Sequence, residues 1–252
     1  GKVGGVSRTL VAEVTWSPVT ITPNIKGGLT CAQDVKFNGN AVACGFDHRV
    51  STPVGTGAAG RAGVGGCAEN LAAVPPRWEL STGSIPGIWS TSTINFGGNS
   101  AAYGTPATSV SNAGFYAGPW EILGMTKAQF YAWAGSPSSS MPASPSGVTY
   151  LDNDGTKQNS SGSWSTTNGT GLLYADGDLT LQSNWRGLIY CEGNLKFNAT
   201  GWVLGAVVSR GNNQLQMNGG ATLLYSYDSI LQYVTSGLGG GAKPALLSWQ
   251  EQ

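Results

Sequence analysis

An internal repeat is the feature that most limits how this chain of 252 residues can fold. Residues 171–181 recur as residues 187–197, and a weaker third copy begins at Gly205. Each copy reads as strand, glycine turn, strand and polar turn. A unit this short has no second layer on which to bury its apolar face, whereas stacked copies bury a continuous core. The repeat therefore predicts an all-β fold built on a short parallel β-solenoid.

A second copy of the pattern lies far away in the chain. Residues 31–45 align without gaps with residues 191–205, matching Cys31 to Cys191 and Phe37 to Phe197. We therefore predict one β-rich head domain over 1–252, with solenoid rungs at 28–50 and 171–226 and a long irregular insertion at 51–168. The alternative is an antiparallel meander, which has short strands and glycine turns but predicts no in-phase recurrence of residue types.

In-phase stacking predicts ladders of equivalent side chains on successive rungs. Three of them are apolar, one is glycine, and one is a mixed-charge column that we interpret as rung-to-rung salt bridging rather than as an acid/base pair. The predicted ladders are Leu172–Leu188–Ala206, Leu173–Ile189–Val207, Tyr174–Tyr190–Val208, Gly177–Gly193–Gly211 and Asp176–Glu192–Arg210.

Low charge argues against several classes of partner. Charged residues make up 10% of the chain and the net charge is zero, against about 25% charged residues in ordinary domains. Nucleic acids and anionic membrane surfaces require clustered Lys and Arg, and the sequence has no apolar run long enough for a membrane span. No signal peptide is found at Gly1, so we expect a mature or truncated ectodomain.

Four cysteines without metal-ligand spacing favour disulfides and an oxidising, extracellular location over buried free thiols. If residues 31–45 stack next to the C-terminal rungs, Cys31 and Cys191 share a ladder position and can bond. That pairing leaves Cys44 with Cys67.

Four further elements are predicted outside the repeats. Residues 8–16 alternate as a strand, and the apolar tail at 244–249 is expected to pack back as another. Thr126 is positioned to cap a helix that ends at Gly135. Asp228 is predicted to cap a second short helix that ends near Gly237 and covers the open end of the stack.

Two groups of residues are candidates for chemistry. Asp152 and Asp154 begin a pattern that resembles a calcium loop, although the same residues readily form an Asx turn. His48 is the only histidine, and we interpret it as a hydrogen-bonded turn residue. No nucleophile elbow or nucleotide loop is present. We therefore predict no catalytic residues, no enzyme activity and no cofactor, with calcium at Asp152 and Asp154 as the alternative to an Asx turn.

Several segments resemble PilX-type minor pilins and type IV pilus assembly proteins. The resemblance is found in the rung at 171–181 and its copy, and in the segment Gly219–Ser226 that follows the last rung. Residues 7–14, 39–48 and 247–251 are also similar to these proteins. It implies a head domain, with other pilin-like subunits as partners. The chain departs from the family because the apolar N-terminal stem helix is missing, so either the chain is truncated or a separate small subunit supplies the stem.

The functional expectation is therefore a structural or adhesive head in a type IV pilus-like filament or other surface assembly. The alternative is a polysaccharide-active or glycan-binding β-helix protein. The location of the tryptophans separates these possibilities, because an exposed aromatic groove favours glycans and buried rings favour a structural role. The residues concerned are Trp78, Trp89, Trp120, Trp164 and Trp202.

Overall fold

The structure is a computed structural model that describes most, but not all, of the chain. The described residues are 2–3, 6–7, 10–16, 21–54, 77–112, 114–158, 162–198, 201–211, 213, 215–235 and 244–251. For residues 2–16, 51–54, 77–82 and 244–251 the description is of the backbone only.

Strands dominate the fold and are short, as expected where glycine and polar turns interrupt apolar runs every few residues. In chain order they are β1 Lys2–Val3, β2 Val6–Ser7, β3 Leu10–Trp16, β4 Leu29–Cys31, β5 Val35–Phe37, β6 Val42–Cys44, β7 Phe46–Val54, β8 Arg77–Ser84, β9 Ile88–Ser90, β10 Ile94–Phe96, β11 Ala101–Tyr103, β12 Thr108–Val110, β13 Val148–Leu151, β14 Gly162–Ser165, β15 Gly169–Ala175, β16 Gly177–Leu181, β17 Trp185–Cys191, β18 Leu195–Phe197, β19 Trp202–Ser209, β20 Leu215–Met217, β21 Thr222–Tyr225 and β22 Pro244–Glu251.

Two parallel sheets make up the body of the protein. One has six strands in the order β10-β5-β20-β18-β16-β14, and the other has ten, centred on β19, β17 and β15. Consecutive strands from β13 to β21 alternate between the two sheets, so the chain coils from one sheet to the other. Parallel pairing rules out the antiparallel meander for this part of the chain, because hairpin connections give antiparallel neighbours.

The order of rungs in space differs from their order in the sequence. The coils of 148–225 come first, residues 29–44 follow them, and residues 88–110 come last; we call this body the rung stack. Strand β4 continues the ladder of β19, and β5 continues that of β20. The prediction that residues 31–45 stack on the C-terminal rungs is thus confirmed.

The predicted insertion at 51–168 contributes more to the stack than expected. Strands β9 to β12 pair in parallel with the 29–44 rung or with one another, and β13 and β14 begin the coil at the opposite end. Among the described strands of this segment, only the antiparallel pair β7–β8 leaves the parallel pattern. The rung at 88–110 was missed because its short strands do not repeat the aliphatic pattern of 171–181 and are joined by Ser- and Thr-rich turns.

The apolar ladders occur in the predicted register. Leu173, Ile189 and Val207 point between the two sheets, where they join the interior core. The Leu172 and Tyr174 ladders face the opposite side of the ten-strand sheet, which the helices cover. Each fully buried side chain of this kind contributes about 1.5–3 kcal/mol, so the two faces together supply the main stabilising term.

The glycine ladder is required by the close approach of neighbouring rungs. Gly177, Gly193 and Gly211 do stack, but close backbone approach, rather than an unusual dihedral angle, demands them. A Cβ on Gly193 would lie 2.3 Å from the carbonyl carbon of Gly177, and one on Gly211 would lie 2.3 Å from the oxygen of Gly193. Any larger residue would push neighbouring rungs apart.

The predicted Cys31–Cys191 disulfide is wrong. Both are buried free thiols. They share a ladder, as predicted, but Ser209 lies between them, because β19 pairs with β17 on one side and with β4 on the other. Two strand spacings amount to about 9.6 Å, beyond the Cα separation of about 7 Å that a disulfide tolerates. Cys44 is disulfide-bonded, and its predicted partner Cys67 lies outside the described residues.

In the described part of the chain, three helical segments pack on the ten-strand sheet: α1 Pro119–Leu123, α2 Lys127–Ala134 and α3 Tyr227–Ser229, which continues as a π-helical turn over Ile230–Val234. The α2 prediction is confirmed, since Thr126 forms a capping box with Gln129 and the helix ends at Gly135. Helix α1 was not predicted.

The second predicted helix differs in its cap and its location. The side chain of Ser226, not Asp228, accepts the capping hydrogen bond from the Ser229 amide. The π-helical turn lies against β15 and β17 and buries Ile230 and Val234 there, so it covers a face of the stack rather than its end. Gly237 lies outside the described residues. Strands β3 and β22 form an antiparallel ribbon, which confirms both predicted terminal strands.

Candidate functional site

A column of charged side chains runs along the edge of the ten-strand sheet. Leu151, Ala175, Cys191 and Ser209 are register partners on successive strands. The residue that follows each of them in the sequence therefore belongs to the column. In spatial order the column contains Asp152, Asp176, Glu192 and Arg210. Asp152 extends the predicted column by one rung.

The carboxylates of the column are buried, and the partly exposed Arg210 pairs with one of them. Asp176 is 1% exposed and Glu192 is 5% exposed. The Arg210 guanidinium lies 3.5 Å from the Glu192 carboxylate, so the predicted rung-to-rung salt bridging is present at this step. Burial raises the pKa of Glu192; Arg210 opposes this shift, and the nearby Asp176 adds to it.

Gln158 covers this column and is the only non-glycine residue with positive φ in the described part of the chain, at 66°. Its backbone amide donates to Asp176 Oδ2 at 2.6 Å. Its side chain donates to the carbonyl of Ala117 and accepts from Lys127 Nζ. Such a conformation is costly for a side chain other than glycine, so the carboxylate contact holds it in place. The column therefore anchors the covering loop to the rungs.

A cluster of tyrosines lies beside the carboxylates. Tyr150 and Tyr174 stack with ring centroids 4.9 Å apart, and the hydroxyls of Tyr131 and Tyr174 are 3.3 Å apart. Burial raises the pKa of Tyr174, and the neighbouring Glu192 raises it further. These phenols remain protonated, so they serve as packing and hydrogen-bonding groups.

Asp152 and Asp154 adopt the geometry of successive Asx turns. Asp152 Oδ1 accepts from the amides of Asp154 and Gly155 at 3.0 and 2.8 Å, and its Oδ2 accepts from the Tyr150 hydroxyl. Asp154 Oδ1 accepts from the Thr156 amide. Among the described residues, no three His, Cys, Asp or Glu side chains converge on a metal position. Calcium binding by this pair stays a prediction.

His48 lies in strand β7 rather than in a turn, which corrects that prediction. It is 2% exposed, and its Nδ1 is 2.9 Å from the carbonyl oxygen of Tyr225. Burial, only partly opposed by backbone hydrogen bonds, lowers the pKa of His48 to about 4. The ring is therefore neutral at pH 7 and joins the β7–β8 pair to the rung stack.

A groove of about 530 Å³ opens where the turns enter strands β15, β17 and β19. It is lined by Ser144, Pro145, Ser146, Asn168, Gly169, Thr170, Asn184, Arg186 and Trp202. The Arg186 guanidinium lies 5.7 Å from the centre of the Trp202 ring. Asn168 Oδ1 accepts a hydrogen bond from the backbone N–H of Asn184 at 2.9 Å. The two asparagines therefore link neighbouring rungs.

The groove was not predicted, although the repeat contains its signal. Thr170 and Arg186 are register partners on neighbouring rungs, and the two asparagines precede them at the same spacing. Polar residues in phase with the apolar ladders mark an outer edge at which several rungs present side chains together.

Of the five tryptophans named above, four are buried. Trp89, Trp120, Trp164 and Trp202 are each 6–8% exposed. The side chain of Trp78 is not among those described. The four described rings therefore contribute mainly to the body of the protein, and Trp202 also forms one wall of the groove.

Comparison with known proteins found no matching family model, no matching curated protein and no matching solved structure. Among the described helices, none has the length and apolar character needed to cross a membrane.

Proposed function

We propose that this chain is the β-solenoid head of a type IV pilus-like filament or related surface assembly, with a structural or adhesive role and an extracellular location. The observation that carries the proposal is the placement of the aromatic residues. Four of the described tryptophans are used to build and cover the rung stack, as expected of a protein whose function is to provide a rigid body.

The segments that resemble PilX-type minor pilins support the proposal. Residues 171–181 and their copy form consecutive rungs, in strands β15 to β18. The resemblance at 7–14 and 247–251 involves two strands, β3 and β22, that pair with each other. The proposed partners are other pilin-like subunits, with a stem that precedes this chain or is supplied by a small separate subunit.

Localisation on filaments tests this function. Filaments sheared from cells of the source organism are labelled with an antibody raised against this chain, and mass spectrometry identifies the peptide that precedes Gly1. We expect label on the filaments and an apolar stem, or a co-purifying small stem subunit. Label confined to the cell body, together with an ordinary secretion leader and no stem subunit, would refute the assignment.

A second candidate, glycan binding, is favoured by the groove. Arg186, Thr170 and Asn184 present polar groups beside the Trp202 ring, and a few polar groups against an apolar wall are typical of small-ligand sites. Sugars match this surface because hydroxyls accept and donate hydrogen bonds while their C–H faces contact aromatic rings. Such a groove would provide the contact surface of an adhesive head.

Calorimetric titration with a panel of neutral and acidic oligosaccharides tests the second candidate. Arg186→Met removes the groove cation while retaining an apolar stem, and Lys196→Met is the matched control at an exposed rung position. Loss of one charged hydrogen bond weakens binding about tenfold or more, and the control leaves it unchanged. Glycan binding is abandoned if the unmodified protein binds none of the panel, or if both variants bind as it does.

A further inference from the structure

The last rung of the stack, residues 88–110, ends in strands that pair on one side. Strand β10 pairs with β5, β11 with β6 and β12 with β9, and none has a second partner among the strands that the structure describes. Thr93 and Asn95 are exposed along this edge. A parallel edge of this kind presents backbone donors and acceptors for another strand.

Side chains that continue the interior core become exposed at this rung. One inward ladder contains Leu181, Phe197, Met217 and Phe37, each at most 1% exposed, and its next member is Phe96. Phe96 is 47% exposed, although it contacts Phe37 with ring centroids 5.5 Å apart. Val110, on the same rung, is 60% exposed. Among the side chains that the structure describes, Phe96 and Val110 are the only large apolar ones that are exposed.

The opposite end of the stack is covered. Ser138 bridges to Leu151, the Trp164 indole donates to the carbonyl of Ser139 at 3.0 Å, and Met141 packs on the interior core. The two ends therefore differ, and we call the uncovered end at residues 88–110 the bare end. A head-to-tail chain of identical subunits would bring the bare end of one copy against the covered end of the next.

The strands of the last rung carry no charged residue, and the nearest charges, Asp34 and Lys36, lie on the rung beneath them. Residues 80–120 contain no Asp, Glu, Lys or Arg. Edge strands usually resist pairing with another chain through Lys and other charges. Two such edges meet without charged side chains on the pairing strands themselves, and burial of Phe96 and Val110 is then favourable for both copies.

We propose that the 88–110 rung docks a second copy of this chain, edge to edge, to form a two-fold symmetric dimer. A two-fold axis through β10 runs the two β10 strands antiparallel and keeps both cores on the same side. Asn95 then meets its own counterpart, and Phe96 lies opposite Ile94 of the partner copy. Because the same patch serves both copies, the contact closes at two subunits. This inference goes beyond the proposed function and does not depend on it.

Disulfide trapping tests the geometry. Asn95→Cys places two thiols at directly opposed positions, where an antiparallel pair has a Cα separation of about 4.5–5.5 Å, within disulfide reach. Ser163→Cys is the matched control, an exposed strand residue at the covered end. We expect a covalent dimer from Asn95→Cys under mild oxidation and none from the control. Equal yields from the two variants would overturn the proposal.

Sedimentation equilibrium tests the association itself. The unmodified protein is expected to be dimeric, and the Phe96→Lys and Val110→Lys double variant monomeric, because it places like charges on both edges. Circular dichroism checks that the variant folds; if it does not, Thr93→Lys applies the same test at an exposed edge position. The proposal is overturned if the unmodified protein is monomeric, even if it binds an added β-strand peptide. It is also overturned if a folded charged variant remains dimeric.

Discussion

Acidification should destabilise this protein through its one histidine. The folded-state pKa of His48 lies below the usual value because the buried ring resists protonation. A group of this kind is fully compatible with the folded state when neutral, and stability falls as pH drops below the unfolded pKa. With a pKa of about 4 folded against 6.5 unfolded, the free energy of unfolding falls by about 2 kcal/mol between pH 7 and pH 5.

The assay is urea unfolding at a series of pH values in this range, on the unmodified protein and on His48→Gln. The raised pKa of Glu192 acts in the opposite direction, because that carboxyl gains protons more readily in the folded state. The difference between the two proteins removes this and every other shared titration. His48→Gln should lose about 2 kcal/mol less than the unmodified protein does over this pH range. Parallel stability curves would show that His48 is not held neutral by burial.

Three further predictions concern the rung stack. Gly205→Ala should lower the free energy of unfolding by about 3 kcal/mol or more, because φ is 145° and the new Cβ would lie 1.8 Å from a backbone oxygen. Gly220 has open space around it, so Gly220→Ala should change this free energy by no more than about 0.5 kcal/mol in thermal unfolding. Phe37→Ala should lower the free energy of unfolding by about 3–5 kcal/mol and Phe96→Ala by far less, since the two belong to one ladder but only Phe37 is fully buried; equal losses would contradict this account of the core. Ellman's reagent should detect no reactive thiol in the folded protein and two after denaturation, because both free cysteines are buried and burial raises their pKa, that of Cys31 to about 12.

The periodic part of the fold was predictable because stacking repeats the same environment on each rung. Leu173, Ile189 and Val207 face the same interior, so the same residue type recurs and the register can be read directly. Rung 88–110 lacks this signal, because its strands β10, β11 and β12 pair on one side among the described strands and accept residues such as Ser109, Ala101 and Thr108. A local alignment could not reveal that residues 29–44 lie between it and the C-terminal coils.

The error at the cysteines has the same origin. Sequence alignment identifies which residues share a ladder, but it does not count the strands between them. Ser209 occupies the position between Cys31 and Cys191 because β19 lies between β17 and β4. The loop residue Gln158 was likewise missed, because its importance comes from a contact with Asp176 that no periodic pattern encodes.

The order of the rungs also determines when each part of the protein can fold during synthesis. Residues 29–44 leave the ribosome early, yet one of their two strand edges is completed only by β19, β20 and β21. The coils of 148–225 have their partners close by in sequence, and such local contacts form fastest. The rung at 29–44 must therefore wait, with one edge open, until residues up to 225 have been made, which exposes the nascent protein to mispairing at this edge.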